Sequence, residues 1–481
     1  MPHNEKVAIP RAFLLPWTIA LIEGFSTLAV EVIAIRLAIP VVGSSITLTG
    51  VMLGVVLLAL SAGYWRGGAL SARWDRKRTR LALTRNLLIA AVVYGAIAFP
   101  WEATAIEKAL DLGAGLPLAI GASASLLFLL PVYLASQTVP MLAELTNVEG
   151  KAGRASGQVL FFSTVGSVLG GIVTPVFLFP SIGVVHSTWV VCGLLVCAAC
   201  AMSVSWRWTP ALAVIVLAAA LGASAIASGA PAEYAFDSAY QSIRIVKEGG
   251  ISSRPQRVLF MSGSRSSGVY ADTGETSFEY VLAAEKALAE VRAAKVLAIG
   301  SAGFTFPRDV AAFPFVRRID AVDVDPVVKR VAEREFLRQP LPSKVRFLPL
   351  SARYALRRLH RDGERYGFAF IDAYFGKGIP DELVTVEFFR DVRAVSDHVA
   401  ANVVMDRDVD SAFAHNALAS FREALGAAWI IDVKAGDSEI TNIRVTDWPA
   451  NGSERWNGSG TPYRDDRNTA DRDHVQMVWG N

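Results

Sequence analysis

The chain has 481 residues, of which 52% are hydrophobic, and a formal net charge of +3. The apolar excess lies before about residue 230, so we expect one region in lipid and one in water. A net charge this small lacks the basic excess that is typical of nucleic-acid-binding proteins and argues against such a partner. All three cysteines lie in one apolar segment, so the water-exposed half has neither disulfides nor thiolate metal sites, and no metal is expected.

The first part of the chain, residues 1–230, predicts a helical membrane domain, because a crossing needs about 20 apolar residues. Candidate spans lie near 13–35, 46–65, 81–99, 116–138, 156–180, 186–205 and 209–228. The densest basic loop is RWDRKRTR, residues 73–80, and the positive-inside rule places that loop in the cytoplasm. We therefore expect an integral protein of the cell (inner) membrane.

The side of the membrane on which the remaining chain lies is in conflict with the span count, because seven crossings would put everything after residue 230 outside the cytoplasm. We expect a cytoplasmic soluble domain, with one candidate span re-entrant or interfacial. The suspects are the region of Pro131 and Pro140 and the WRW sequence at 206–208. An exported domain is the alternative.

The first candidate span carries Glu23 and Glu31, with Arg36 near its end. Ionisable groups at such depth are candidates for function. We favour a structural role, in which Arg36 reaches the interface and pairs with Glu31, because no chain of further acids suggests a proton path. The small residues of GSVLGG, residues 166–171, predict close helix packing.

The second part of the chain predicts three segments. In residues 231–290, SAYQSIRIV and QRVLFMSG flank KEGGISSRP, a pattern typical of a β-hairpin subdomain. In residues 291–446, strand-like and helix-like stretches alternate, which indicates a mostly parallel sheet covered by helices on both faces. The strand-like stretches are KVLAIG, RIDAVDV, KVRFLPL, YGFAFID and AANVVMD. The polar residues 447–481 predict a loop or flexible extension.

Ligands on such sheets bind beyond the carboxyl ends of the strands, where the chain order reverses. Gly300 and Gly303 close the first strand and permit a tight turn close to a ligand. Asp323 ends the second strand about 20 residues later, at the distance where a carboxylate can accept hydrogen bonds from both ribose hydroxyls. Asp325 and Pro326 look like the N-cap and first residue of the next helix. Together these features predict a nucleoside site.

The fourth strand ends at Asp372, within FIDAYFGKGIP. A carboxylate at that edge can accept a proton from a reacting group. The alternative is an aspartate that only caps its loop through backbone amides. Its position beside the nucleoside site favours the active site.

Several of these motifs together resemble the spermidine synthases, which are aminopropyltransferases, over residues 238–405. The motifs are Tyr240-Gln241, RVLFMSG, FEY at 278–280, VLAIG, VDVDP and IDAYFGKGIP. The preceding part, with EVIAIR at 31–36, resembles the membrane domain of fused membrane spermidine synthase-like proteins.

This resemblance implies a multi-span α-helical membrane domain followed by a Rossmann-like α/β domain of the class I methyltransferase and spermidine synthase type. It also implies that an amine attacks the carbon beside the sulfonium of decarboxylated S-adenosylmethionine and releases methylthioadenosine. The expected partners are a small-molecule amine or lipid acceptor, the membrane and a second copy of the chain.

The same resemblance gives roles to individual residues. Asp372 matches the catalytic aspartate, which helps strip a proton from the amine, and Tyr280 matches the tyrosine that assists it. Asp323 matches the acid that binds the ribose. Gln241 matches a glutamine near the nucleoside and the thioether.

The chain departs from the family at four acidic positions. Gly303 stands where the family has the acid that holds the aminopropyl ammonium, and PLS at 349–351 replaces GDG. Phe375 and Ser262 replace two further aspartates. Fewer acids weaken the case for a polycationic amine, since each desolvated ammonium needs an anionic partner.

The loss of the acid at Gly303 also removes a group that repels the carboxylate of intact S-adenosylmethionine, so either form of the co-substrate is expected. Arg265, Arg308 or Lys377 would then pair with that carboxylate. Two other functions stay open: methyl transfer with release of adenosylhomocysteine, and a transporter or sensor that binds a nucleoside without chemistry.

Overall fold

The computed structural model describes residues 11–42, 46–97, 101–147, 152–203, 232–249, 254–433 and 438–479. The described residues divide into two compact units. The helical unit takes its residues from 1–38, 47–109 and 117–230, and the α/β unit takes its residues from 39–46, 110–116 and 231–481.

Long apolar runs with few residues that break a helix make the helical unit almost wholly α-helical. Its helices are α1 Arg11–Val42, α2 Ile46–Ser71, α3 Arg76–Ile97, α4 Trp101–Asp111, α5 Leu116–Ala124, α6 Leu130–Ser136, α7 Thr138–Thr146, α8 Ala152–Val173 and α9 Phe179–Met202. A Cβ atom on Gly166 would lie 2.0 Å from the Leu21 carbonyl oxygen. The predicted close packing at GSVLGG is therefore confirmed, between α8 and α1.

Four helical stretches of the described residues are long and apolar enough to cross a membrane, judged by length and composition alone. They are Leu15–Val42, Ile46–Ser71, Leu116–Thr146 and Ala152–Met202. The number differs from the seven candidates for three reasons. The candidate near 81–99 lies in α3, which begins with the basic RKRTR. Two candidates share the 51-residue stretch, interrupted at Gly183, and the candidate 209–228 lies outside the described residues.

The buried carboxylate of Glu23 is satisfied by hydroxyl groups. Its side chain is 1% exposed, and it accepts hydrogen bonds from Ser163 Oγ at 2.8 Å and from Thr27 Oγ1 at 3.4 Å. The bond from Ser163 joins α8 to α1. This arrangement is what the structural interpretation of Glu23 predicts.

A four-stranded antiparallel sheet begins the α/β unit. Its strands run in the order β1 Tyr234–Asp237, β2 Ser242–Glu248, β3 Gln256–Met261 and β4 Ser264–Tyr270. In β2 the buried residues Ile243 and Ile245 alternate with more exposed ones, as expected for a strand with one covered face, whereas β3 and β4 each contain a run of three buried residues.

The main sheet of the α/β unit is mixed and has eight strands. They are β5 Lys295–Ile299, β6 Arg318–Asp323, β7 Val345–Pro349, β8 Phe368–Ile371, β9 Val399–Asp406, β10 Trp429–Val433, β11 Ile440–Thr446 and β12 Glu454–Arg455. Their spatial order is β12-β10-β11-β9-β8-β5-β6-β7. The five strands that the sequence predicts, β5 to β9, are all present and parallel. The three further strands pair antiparallel.

Helices cover both faces of this sheet, because alternate residues of its central strands are apolar in both directions. Leu297 and Ile299 of β5 belong to one hydrophobic cluster, and Val296 and Ala298 belong to another. The helices are α10 Glu279–Val291, α11 Thr305–Val310, α12 Val328–Val331, α13 Ala352–Arg361, α14 Val386–Val395, α15 Ala412–Leu425 and α16 Ala470–Trp479. The chain runs from β5 to β6 and β7, then returns to β8 on the other side of β5, so its direction reverses there.

The C-terminal residues differ from the expected loop. Trp456, Tyr463 and Ala470 are buried in the same cluster as Leu297 and Ile299. Three widely spaced apolar anchors hold a segment whose average composition is polar. The segment thus packs on the domain and ends in α16.

Candidate active site

A cleft of about 790 Å³ lies within the α/β unit, along the carboxyl ends of the main strands. Gln241, Tyr280, Gly300, Asp323 and Asp372 all line it, so five of the six predicted site residues meet at one place. Asp323 and Asp372 therefore lie in one cavity and not on opposite faces of the sheet.

Gly300 sits where the chain order reverses, between β5 and β8. Its φ is +83°, and a Cβ atom there would lie 2.1 Å from the Asp372 carbonyl oxygen. The Asp372 amide donates to the Ile299 carbonyl at 2.8 Å, which continues the β5–β8 pairing to the edge of the cleft. Glycine is thus required for the two strand ends to approach this closely.

Asp323 ends β6 and is held by the turns that follow β5 and β6. Its carboxylate accepts from the backbone amides of Ser301 at 3.2 Å and Asp325 at 3.0 Å. Burial raises the pKa of Asp323 to about 6, against the lowering effect of these backbone hydrogen bonds. The carboxylate is ionised at neutral pH and retains lone pairs for further donors.

Asp372 ends β8 and accepts a hydrogen bond from Asn402 Nδ2 at 2.9 Å. Burial raises the pKa of Asp372 to about 6, and interactions with Asn402 and Tyr280 hold the increase down. The side chain is only half-buried, since one side opens to the cleft. Asp372 is therefore a carboxylate at neutral pH, with a higher affinity for protons than an ordinary aspartate.

Two tyrosines flank Asp372. Burial first, and then the charge of Asp372, raise the pKa of Tyr280 well above its usual value, so the phenol keeps its proton. Tyr280 Oη donates to the Ser266 carbonyl at 2.8 Å. Tyr374 Oη donates to the Asn402 carbonyl at 3.1 Å and accepts from the Val404 amide at 2.7 Å. These bonds fix the loop after β8 to strand β9.

Gln241 lines the cleft from the loop between β1 and β2 and is 4% exposed. Its Nε2 lies 3.5 Å from Asp325 Oδ2, which also accepts from Ser238 Oγ at 2.6 Å. Asp325 does not cap the next helix, which begins at Val328; its Oδ1 instead accepts from the Val327 amide in a turn before that helix. The expected N-cap is corrected in this respect, because the side chain is used to tie the small sheet to the main one.

The structure does not bring Gly303 to the cleft. The Gly303 amide donates to Ser267 Oγ at 3.3 Å, and a Cβ atom on Gly303 would lie 2.6 Å from both Phe336 and Ser267. The room for an acidic side chain at Gly303 is thus filled by neighbours. Phe304 is fully buried against Phe347 and does not fill the cleft.

The three cations predicted to pair with a carboxylate differ in position. Arg265 and Lys377 line the cleft, where Arg265 pairs with Glu248 at 2.7 Å. Arg308 does not line it, and donates to Asp309 at 2.6 Å and to the Gly274 carbonyl at 2.8 Å. Arg308 is therefore a structural residue of the last turn of α11.

Several cleft residues were missed by the sequence reasoning, among them Asn402, Tyr374, Arg353 and His474. Asn402 had a signal, since it is a polar residue in the apolar stretch AANVVMD of a strand next to Asp372. His474 had none, because α16 comes from the segment predicted as a loop.

Known proteins similar to this chain include the polyamine aminopropyltransferase of Vibrio vulnificus, which is 30% identical over 132 residues. The match covers 27% of this chain and 44% of that protein, so the chain spans less than half the length of this relative. Over these 132 residues the chain is similar in sequence to that aminopropyltransferase. A scan against protein-family models finds no match.

Solved structures similar to this chain include a probable spermidine synthase from Corynebacterium glutamicum. It is 19% identical, with a TM-score of 0.37, over 45% of this chain and 80% of that one. Spermidine synthase from Thermotoga maritima is 15% identical, with a TM-score of 0.35, over 52% of this chain and 87% of that one.

Proposed function

We propose that this protein is a membrane-anchored aminopropyltransferase-like transferase that uses decarboxylated S-adenosylmethionine or S-adenosylmethionine and releases methylthioadenosine. The observation that carries the proposal is the single cleft in which Asp323 and Asp372 meet at the reversal of chain order. The similarity to a polyamine aminopropyltransferase supports it.

The nucleoside half of the substrate would lie along β5 and β6. Asp323 accepts hydrogen bonds from the two ribose hydroxyls, and the turn at Gly300 allows the backbone to approach the nucleoside closely. Leu350 and Ser351, which follow β7, line the cleft where the base would lie. The sulfonium would then lie near Gln241 and the reacting carbon near Asp372.

In the chemical step the amine nitrogen attacks the carbon beside the sulfonium. A C–N bond forms as the C–S bond breaks, and the electron pair of that bond leaves with sulfur to give neutral methylthioadenosine. Asp372 takes the proton that the amine loses and then passes it to water. Tyr280, which keeps its proton, orients the attacking nitrogen through its hydroxyl oxygen and stabilises the charge of Asp372.

The membrane anchor would hold this cleft near a membrane-delivered substrate. Its support is four apolar helical stretches of sufficient length. If the basic loop 73–80 is cytoplasmic and each of the two stretches after it crosses once, the α/β unit lies on the cytoplasmic side. Protease treatment of inverted and right-side-out vesicles tests the side. Cleavage of the α/β unit in inverted vesicles alone is expected, and cleavage in right-side-out vesicles alone would contradict it.

The activity is tested by mixing the full chain in detergent with each form of the co-substrate and a set of amines. Release of methylthioadenosine is expected. Release of adenosylhomocysteine instead would indicate methyl transfer. Nucleoside binding without any turnover would indicate a sensor or transporter.

A further inference from the structure

The cleft continues beyond Asp372, away from the nucleoside site. Asp323 ends β6 and Gly300 follows β5, and both lie on one side of Asp372 at the end of β8. Strands β9 and β11 lie on the other side. We call the part of the cleft lined by their residues and by α16 the acceptor subsite; it consists of Asn402, Val404, Ile440, Asn442, His474 and Val478.

The register of β9 and β11 explains which residues form this wall. The strands are antiparallel, and Val404 lies directly opposite Asn442. Because side chains alternate along a strand, Asn402, Val404, Ile440 and Asn442 share the face that borders the cleft. Val403 and Met405 point to the other face and belong to the hydrophobic core.

The six side chains of the acceptor subsite are uncharged and largely apolar, and the cation next to them, Lys377, lies over the ring of Trp479 in α16 at 5.3 Å. Its wall combines three aliphatic side chains with two amides and one imidazole. His474 is 7% exposed, and burial lowers its pKa to about 4, so the ring is uncharged at neutral pH.

Asp372 borders the acceptor subsite, since it accepts from Asn402, one of the residues of that wall. Glu382 also lines the cleft; its carbonyl accepts from Arg353 Nε at 3.1 Å, and the carbonyl of Asp381 before it accepts from Asn468 Nδ2 at 2.7 Å. Arg353 lies in α13, the helix that follows β7. Among the six residues of the acceptor subsite and Asp372 beside them, Asp372 is the anionic side chain.

We propose that the acceptor is a primary amine with a single positive charge and an uncharged, apolar body, an inference that rests on the proposed function. Asp372 pairs with the one ammonium, and Val404, Ile440 and Val478 contact the body. A second ammonium would have to leave water for aliphatic and amide neighbours without an anionic partner, which is strongly unfavourable. A diamine would therefore bind and react poorly.

The test compares hexylamine with 1,6-diaminohexane, which share one carbon chain and differ by the second amine. The full chain in detergent is given decarboxylated S-adenosylmethionine, and methylthioadenosine is measured. We expect kcat/KM to be at least tenfold higher for hexylamine. Equal or higher kcat/KM for the diamine would overturn this inference while the proposed function stands. If no amine releases methylthioadenosine with either decarboxylated or intact S-adenosylmethionine, the proposed function itself fails.

A gain-of-function variant tests the subsite directly, so that misfolding cannot imitate the result. Asn442→Asp adds a carboxylate to its wall with little change of shape, and should shift the ratio of kcat/KM at least tenfold toward the diamine. Asn457→Asp makes the same chemical change at an exposed position and should leave the ratio unchanged. A ratio that stays at the wild-type value in a folded Asn442→Asp protein that binds methylthioadenosine would overturn the subsite assignment.

The amine is either dissolved or carried in a bilayer. Octadecylamine in phosphatidylcholine vesicles, compared with hexylamine, distinguishes the two sources. Turnover of either monoamine above that of the diamine supports the inference.

Discussion

Replacing Asp372 by Asn tests the central step of the proposed reaction. Asn keeps the size of the side chain and removes the group that accepts the proton. A positioned base contributes about 10² to 10⁴ in rate, so we expect kcat/KM for methylthioadenosine release to fall by that factor. Asp408→Asn, at an exposed position, is the matched control and should retain wild-type activity.

The pH profile gives a second measurement of the same residue. Burial raises the pKa of Asp372 to about 6, and the base works only when it is ionised. The slope of log kcat/KM against pH should therefore decrease by one unit as the pH rises through about 6. Asp372→Asn should lose this break, while breaks that come from the amine remain.

The same pKa shift predicts that folding stability falls over the pH range in which the activity rises. The folded pKa lies about two units above the ordinary 3.8. At about 1.4 kcal/mol per unit, ionising this group costs the folded state about 3 kcal/mol, and less to the extent that water in the cleft solvates it. Folding stability therefore falls as pH rises from about 4 to about 6 and stays reduced above. Asp372→Asn should raise the thermal unfolding temperature of the full chain more at pH 8 than at pH 5.

Three outcomes would refute this account of Asp372. Activity within threefold of wild type would exclude the role of base. A break near pH 6 that persists in the variant would assign that titration to another group. Loss of methylthioadenosine binding by more than tenfold would favour the alternative of a loop-capping aspartate.

Three further substitutions test other parts of the α/β unit. Asp323→Asn should weaken methylthioadenosine binding at least tenfold in calorimetry, as expected for hydrogen bonds to a charged group, and unchanged affinity would contradict the ribose assignment. Gly300→Ala should lower the unfolding temperature and abolish nucleoside binding, because its Cβ would lie 2.1 Å from the Asp372 carbonyl oxygen; wild-type behaviour would disprove the requirement. Burial, and then Asp309, raise the pKa of Glu285 to about 8, so stability falls as pH rises from about 4.5 to about 8. Glu285→Gln should remove this loss, and equal unfolding temperatures of variant and wild type at pH 8.5 would count against it.

The predicted residues that the structure brings to the cleft are those whose positions depend on local order. Asp323 and Asp372 end apolar strands, and parallel strands of one sheet bring their carboxyl ends to the same edge. The spacing from Gly300 to Asp323 follows from one strand–helix–strand unit. These relations need only the alternation of strands and helices.

The residues that the sequence misplaced depend on distant parts of the chain. Gly303 leaves the cleft because Phe336 and Ser267, from other elements, occupy the space beside it. His474 enters the cleft because α16 packs on the domain through apolar residues too sparse to raise the local hydropathy. No local pattern encodes either contact.

The electrostatics of Asp372 suit the amine that it is proposed to deprotonate. An alkylammonium has a pKa near 10, so an ordinary aspartate would take its proton against a gap of about six units. Burial raises the pKa of Asp372 to about 6 and closes about two of those units, while the carboxylate remains ionised at neutral pH. Asn402 and Tyr280 limit the increase, since hydrogen bonds to a carboxylate favour its charged form. The remaining difference between the pKa of the ammonium and that of Asp372 implies that proton transfer does not precede C–N bond formation. It accompanies bond formation, because the nitrogen becomes more acidic as the bond forms.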